Sequence, residues 1–146
     1  MATEDEPHDG PYVLEAQIGH LLRRAHQRHV AIFLEAMGED GPTPTQFAAL
    51  VKLADAGELS QNRLGRLTAM DPATIKGVVA RLVERGLVER ASDPKDQRRV
   101  ALRLSAEGRG LVSRLIEKAR AATAATLEPL PPGERRRLIA LLNRIA

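Results

Sequence analysis

Asp71-Pro72-Ala73-Thr74-Ile75-Lys76-Gly77-Val78-Val79-Ala80-Arg81-Leu82-Val83-Glu84-Arg85-Gly86 reads as one capped helix. Asp71 can accept a hydrogen bond from the free N–H groups of the first turn, and Pro72 is tolerated because its missing N–H has no helical partner there. Gly86 closes the helix. Ile75, Val78, Val79 and Leu82 recur at i, i+3, i+4, i+7, so one stripe is apolar and faces a core. The opposite face is centred on Ala73, Gly77, Ala80 and Glu84, with Thr74, Lys76 and Arg81 on its flanks. A small centre with polar shoulders lets a backbone approach base edges in a major groove while the flanking side chains reach bases and phosphates. The same face also reads as an ordinary wetted surface, although a mid-helix glycine costs about 1 kcal/mol relative to alanine and so needs a compensating reason.

The flanking segments decide between the two. Upstream, Ser60 opens a short helix that ends in a turn before Asp71. Downstream, Leu87-Val88-Glu89-Arg90-Ala91 and Arg99-Val100-Ala101-Leu102-Arg103-Leu104 alternate as half-buried strands, with Val100, Leu102 and Leu104 on one face. They are expected to pair as a hairpin. Its connection, residues 92–99, is longer than a two-residue turn and carries Lys95, Arg98 and Arg99. Helix, turn, capped helix and basic hairpin make a winged helix-turn-helix, with the hairpin suited to an adjacent minor groove. The carboxylates of Asp93 and Asp96 are expected to bond within the loop and stiffen it. Arg81, Arg85, Arg90, Lys95, Arg98, Arg99 and Arg103 gather around this reading surface.

The run from Ser60 to Leu111 resembles the DNA-binding half of the MarR family of bacterial transcription regulators. The resemblance rests on Leu67-Thr68-Ala69-Met70-Asp71, on Arg81-Leu82-Val83-Glu84-Arg85-Gly86-Leu87-Val88, on the wing Asp93-Pro94-Lys95-Asp96-Gln97-Arg98-Arg99, and on Leu104-Ser105-Ala106-Glu107-Gly108. It extends more weakly over Tyr12 to Ala146. It implies that Arg98 is the wing-tip residue of the minor groove and Asp96 its loop-organising neighbour. Arg63 departs from the family's usual Glu and leaves Ser60 without a reciprocal capping-box partner.

The rest of the chain frames this reader. Residues 1–11 are expected to form a disordered tail, and 12–42 an N-terminal dimerisation helix and loop. The winged helix-turn-helix covers 43–104 and C-terminal dimerisation helices cover 105–146. The fold class is thus mainly α with a small β-hairpin wing. Thr43-Pro44-Thr45-Gln46 has the spacing of a capping box for a helix that stops at Gly57. Leu138, Ile139, Leu141, Leu142 and Ile145 give the last helix more apolar surface than a solitary helix keeps dry. The resemblance implies that first and last helices of two copies intertwine in a C2 homodimer whose target is an inverted repeat of double-stranded DNA.

Composition narrows the partners. With Tyr12, Phe33 and Phe47 as the only aromatics, the chain lacks the stacking platforms of single-strand and RNA binders. The net charge of +3 suits a polyanion but is common. Absence of cysteine removes disulfides and thiol sensing. No membrane span and no signal peptide are recognised, so a cytoplasmic protein is expected. No nucleophile elbow, phosphate-binding glycine loop or zinc-protease motif is present, so neither an enzyme nor a cofactor is expected. By the family's logic a small-molecule effector, an aromatic carboxylate or its coenzyme A thioester, binds near His20, Arg24, Arg28 and Phe33; Arg23, Arg24 and Arg28 also read, more simply, as a wetted face. His26 and His29, three residues apart, leave a metal-responsive regulator as an alternative, and no metal site is assigned. An architectural DNA binder and a protein-docking winged helix are the other two alternatives.

Overall fold

The computed structural model describes residues 10–146, and at the wing tip it describes the backbone but not the side chains of Asp93 and residues 96–99. Most of the expected tail, and the side-chain arrangement expected for Asp93 and Asp96, therefore lie outside the described residues. A single 3-10 turn, Leu14–Ala16, precedes α1 (Ile18–Met37). The helix expected to run from Tyr12 is interrupted at Gln17, whose backbone is extended and whose side-chain amide donates to the Val13 carbonyl oxygen at 2.9 Å.

Four of the five following helices begin at side-chain caps. For α2 (Pro44–Ala56) the capping box is complete: Gln46 N–H donates to Thr43 Oγ1 at 3.3 Å, and Thr43 N–H donates to Gln46 Oε1 at 3.2 Å. Ser60 accepts from Arg63 N–H at the start of α3 (Gln61–Leu67), and Asp71 accepts from Thr74 N–H at 2.7 Å at the start of α4 (Pro72–Glu84). Ser105 does the same for α5 (Ala106–Leu127), and α6 (Pro132–Ile145) begins with proline at its first position. Between α3 and α4, Ala69 has φ of 54°, a left-handed conformation that an alanine enters only at a cost.

Three strands form an antiparallel sheet in the order β1-β3-β2, where β1 is Glu58–Ser60, β2 Val88–Asp93 and β3 Asp96–Leu104. Two expectations are corrected here. The hairpin closes through a two-residue connection, Pro94-Lys95, rather than an eight-residue loop, because backbone pairing continues past the region where apolar alternation is visible. The register steps from Ser92↔Val100 to Asp93↔Asp96, so residues 97–99 bulge from β3 without partners on β2. Val100, expected beside Leu102 and Leu104, is 42% exposed while those two are buried, because the wing has already left the core at that point.

Two apolar cores hold these elements. One is formed by Leu50, Leu53, Leu64, Ile75, Val79, Leu82, Leu102 and their neighbours, uniting α2, α3, α4 and the sheet. The second joins Phe33 and Met37 of α1 to Phe47 of α2 and to Leu115 and Ala122 of α5. Helix α2 serves both, and Leu111 of α5 packs against each. Gly108 allows the start of α5 to lie against the strand: a Cβ there would collide with the Leu87 carbonyl oxygen. Among the described residues no helix is long and apolar enough to cross a membrane.

Candidate nucleic-acid interface

The face of α4 expected to be buried is buried. Ile75, Val78, Val79 and Leu82 all lie in the first core, and Ala73, Thr74, Lys76, Gly77, Ala80 and Arg81 are exposed on the other side. At Gly77 a Cβ would meet nothing within 4 Å, so no packing inside this chain requires the glycine. Its helix cost is therefore not offset by any contact within this chain. The side chains of Lys76 and Arg81 have no hydrogen-bond or ion-pair partner among the described residues. Asp71 fixes the entry of the helix. Its carboxyl is held below the ordinary range by hydrogen bonds from Thr74, side chain first and backbone second.

Two of the seven cations assigned to the surface are turned elsewhere. Arg103 spans the sheet to Glu89 at 3.2 Å and Glu58 at 3.8 Å, tying β3 to both neighbours. Arg85, at the end of α4, points to the α1–α2 loop and donates to the Asp40 carbonyl oxygen at 2.7 Å. Of the wing residues, Pro94 and Lys95 form the tip; Asp96, Arg98 and Arg99 are located by backbone only, and their side chains are outside the described residues. Helix α3, to which the sequence assigns no interface residue, exposes Asn62, Arg63 and Arg66. Asn62 and Arg66 line a recess of about 220 Å³ with Pro72 at the start of α4. Their i, i+4 spacing was the available signal. A broader groove of about 1010 Å³, lined by Ser60, Asn62, Ser92, Pro94, Val100 and Arg103 among others, separates α3 from the wing. The exposed face of α4, the projecting hairpin and the open groove between α3 and the wing form a surface that can follow a duplex.

The four effector residues do not converge in one protomer. Phe33 is buried against Phe47, ring centroids 5.7 Å apart, and lies nine residues and so roughly half a helical circumference from Arg24. Arg28 donates to the carbonyl oxygens of Thr126 (2.6 Å) and Ala125 (3.2 Å), capping the end of α5. Arg24 is exposed and His20 half-buried, one and two turns earlier on α1. His29 Nδ1 lies 2.8 Å from Thr126 Oγ1, whose own hydroxyl donates to the Ala122 carbonyl oxygen, so the imidazole donates from Nδ1. Burial and then the neighbouring His26 hold the His29 pKa below its ordinary value. No group of three or more His, Asp or Glu residues able to hold a metal ion occurs among the described residues.

Known proteins with this arrangement are numerous. The MarR family model matches residues 40–99, from the α1–α2 loop through the wing. The HTH-type transcriptional repressor NicR of Pseudomonas putida is 41% identical over 135 residues, 92% of this chain and 85% of its own. This chain belongs to the MarR family. A probable transcriptional regulator from Pseudomonas aeruginosa is 48% identical and superposes with a TM-score of 0.87, covering 92% of this chain and 100% of that one. BpsR of Bordetella bronchiseptica, whose DNA binding is regulated by 6-hydroxynicotinic acid, is 41% identical with a TM-score of 0.87 over 93% of this chain and 97% of its own. Membership of the MarR family makes the chain a winged-helix, DNA-binding transcription regulator, as its capped α4 and basic wing indicate.

Proposed function

We propose that this protein is a homodimeric, sequence-specific transcriptional repressor that binds an inverted repeat in duplex DNA and is released by a small anionic aromatic acid. The observation that carries the DNA-reading part is the exposed face of α4, with Gly77 at its centre touching nothing, beside the projecting wing. Thr74 and Lys76 face base edges, with Ala73 and Gly77 allowing the approach, and Arg81 holds a phosphate. The wing tip, with Lys95, Arg98 and Arg99, occupies the adjacent minor groove, and Asp96 organises it.

Dimerisation is supported by apolar surface that the protomer leaves bare. Tyr12, Leu14 and Ile18 before and within α1, and Leu138, Ile139, Leu141 and Ile145 of α6, are all exposed, and no residue of α6 is buried. A C2 dimer that buries both would present two α4 helices to successive major grooves about 34–36 Å apart. Likeness to BpsR supports an aromatic acid as effector, with His20 and Arg24 on α1 as the cationic side of a pocket that a second protomer completes. The effector acts through its differential affinity for the wrongly spaced dimer.

The test is fluorescence anisotropy against the DNA upstream of the protein's own gene and a scrambled duplex of equal length, over a salt series. One dimer bound tightly to the first duplex alone is expected, with 6-hydroxynicotinate reversing it. Equal, steeply salt-dependent binding to both would mean phosphate attraction only and would favour an architectural role.

A further inference from the structure

We propose that Arg85 is a positioning residue that locks the reading helix to the end of the first helix, and so sets the spacing between the two half-sites a dimer can grip. The inference rests on the dimeric reading above. Arg85 caps α4, and its guanidinium reaches from the exposed end of that helix to the loop that follows α1, donating to the Asp40 carbonyl oxygen at 2.7 Å and to Gln46 Oε1 at 3.4 Å.

Both acceptors belong to a rigid corner. Gly41 N–H donates to the Gly38 carbonyl oxygen, and a Cβ on Gly41 would come within 2.6 Å of Met37, so the loop is folded tightly on the last turn of α1. Met37 is itself buried in the second core and Pro42 is fully buried, so the Asp40 carbonyl moves with α1. Gln46 is the one polar side chain buried among the described residues, and its Oε1 already closes the α2 capping box. One guanidinium therefore joins the end of α4, the end of α1 and the start of α2. The α4 residues facing solvent belong to the first core's side of this joint, and α1 belongs to the second. Among the described residues no other side-chain hydrogen bond from α4 reaches across; Asp71, at its start, caps only its own helix.

A single half-site is read within one lobe and is indifferent to the lobe's angle to α1. Simultaneous binding of two half-sites is not, because the second contact gains only if the spacing is already correct. Arg85→Ala should therefore loosen binding to an inverted repeat selected from random duplexes with the wild-type protein, by about tenfold, the size of a modest coupling. Affinity for a duplex carrying one half-site, and the salt dependence on either, should stay as in wild type. Arg85→Lys, which keeps a donor for Asp40 but not the fork, should fall between.

Equal loss on both duplexes with a salt slope shallower by about 1 would make Arg85 a phosphate contact and overturn the proposal. Equal loss on both with a lowered melting temperature would make it a general fold contact, and wild-type binding of both by Arg85→Ala would show that the joint sets nothing; either result overturns it. A wild-type protein with no preference for the repeat over the half-site would instead overturn the dimeric reading, before any variant is compared.

Discussion

Helices α4 and α6 carry the same kind of message in sequence and meet opposite fates in structure. Each is of similar length and opens on proline, and each has an apolar stripe at helical spacing. The stripe of α4 is sealed, with Val79 and Leu82 fully buried, whereas Ile145 of α6 is 66% exposed and no α6 residue is buried. Helical periodicity states that a face must be covered but not by what. For α4 the cover is α2, α3 and the sheet; for α6 none of the described residues of this chain supplies it.

The sharpest way to break this comparison is to charge α6. Leu141→Glu should convert the dimer to monomer in sedimentation at micromolar concentration and lower affinity for an inverted repeat by roughly a hundredfold or more, the scale of a lost linked contact. Circular dichroism should show the fold otherwise intact, since Leu141 touches neither core. Persistence of the dimer would mean that α6 is covered from elsewhere.

The next contrast is within α4. Gly77→Ala should stabilise the protein by up to about 1 kcal/mol, because it removes a mid-helix glycine into empty space, while weakening DNA binding by about tenfold. A variant both more stable and a poorer binder separates the face reserved for a partner from the face that packs. Unchanged DNA affinity would place the groove contact elsewhere.

Much of α4 was legible because local chemistry agrees with the tertiary outcome: Asp71 and Pro72 cap it, and four apolar residues at helical spacing find the core. The same holds for the caps at Thr43 and Ser60. What escaped depends on partners distant in sequence. Strand β1 is three residues long and exists because Leu59 pairs with Leu102. The narrow wing turn was hidden because residues 96–99 carry no apolar alternation, although their backbone pairs or bulges as strand. Arg85 and Arg103 read as cations of the interface until the structure supplied the Asp40 carbonyl and the two glutamates. Likewise the Arg28 and His29 contacts to the end of α5 join residues almost a hundred positions apart, which no local pattern encodes.

The smallest expected effect concerns that α1–α5 contact. Because the His29 pKa is lowered in the fold, the unfolded chain binds a proton more readily than the folded one. Folding stability should therefore be full above about pH 6.5, the unfolded histidine's value, and decline as pH falls below it. His29→Gln should flatten that part of a melting-temperature profile between pH 7.5 and 5.5 without touching the DNA-facing side. An unchanged slope would mean that other groups carry the acid sensitivity.

The central claim is that two copies of α4 read two half-sites on one face of a duplex at a fixed separation. Its most direct test inserts five base pairs, about half a helical turn, between the halves of the selected inverted repeat and measures affinity by anisotropy. Binding should fall to the level of a single half-site with five base pairs inserted and stay there with ten, which restore the face of the duplex but roughly double the separation. Affinity indifferent to both insertions would contradict it.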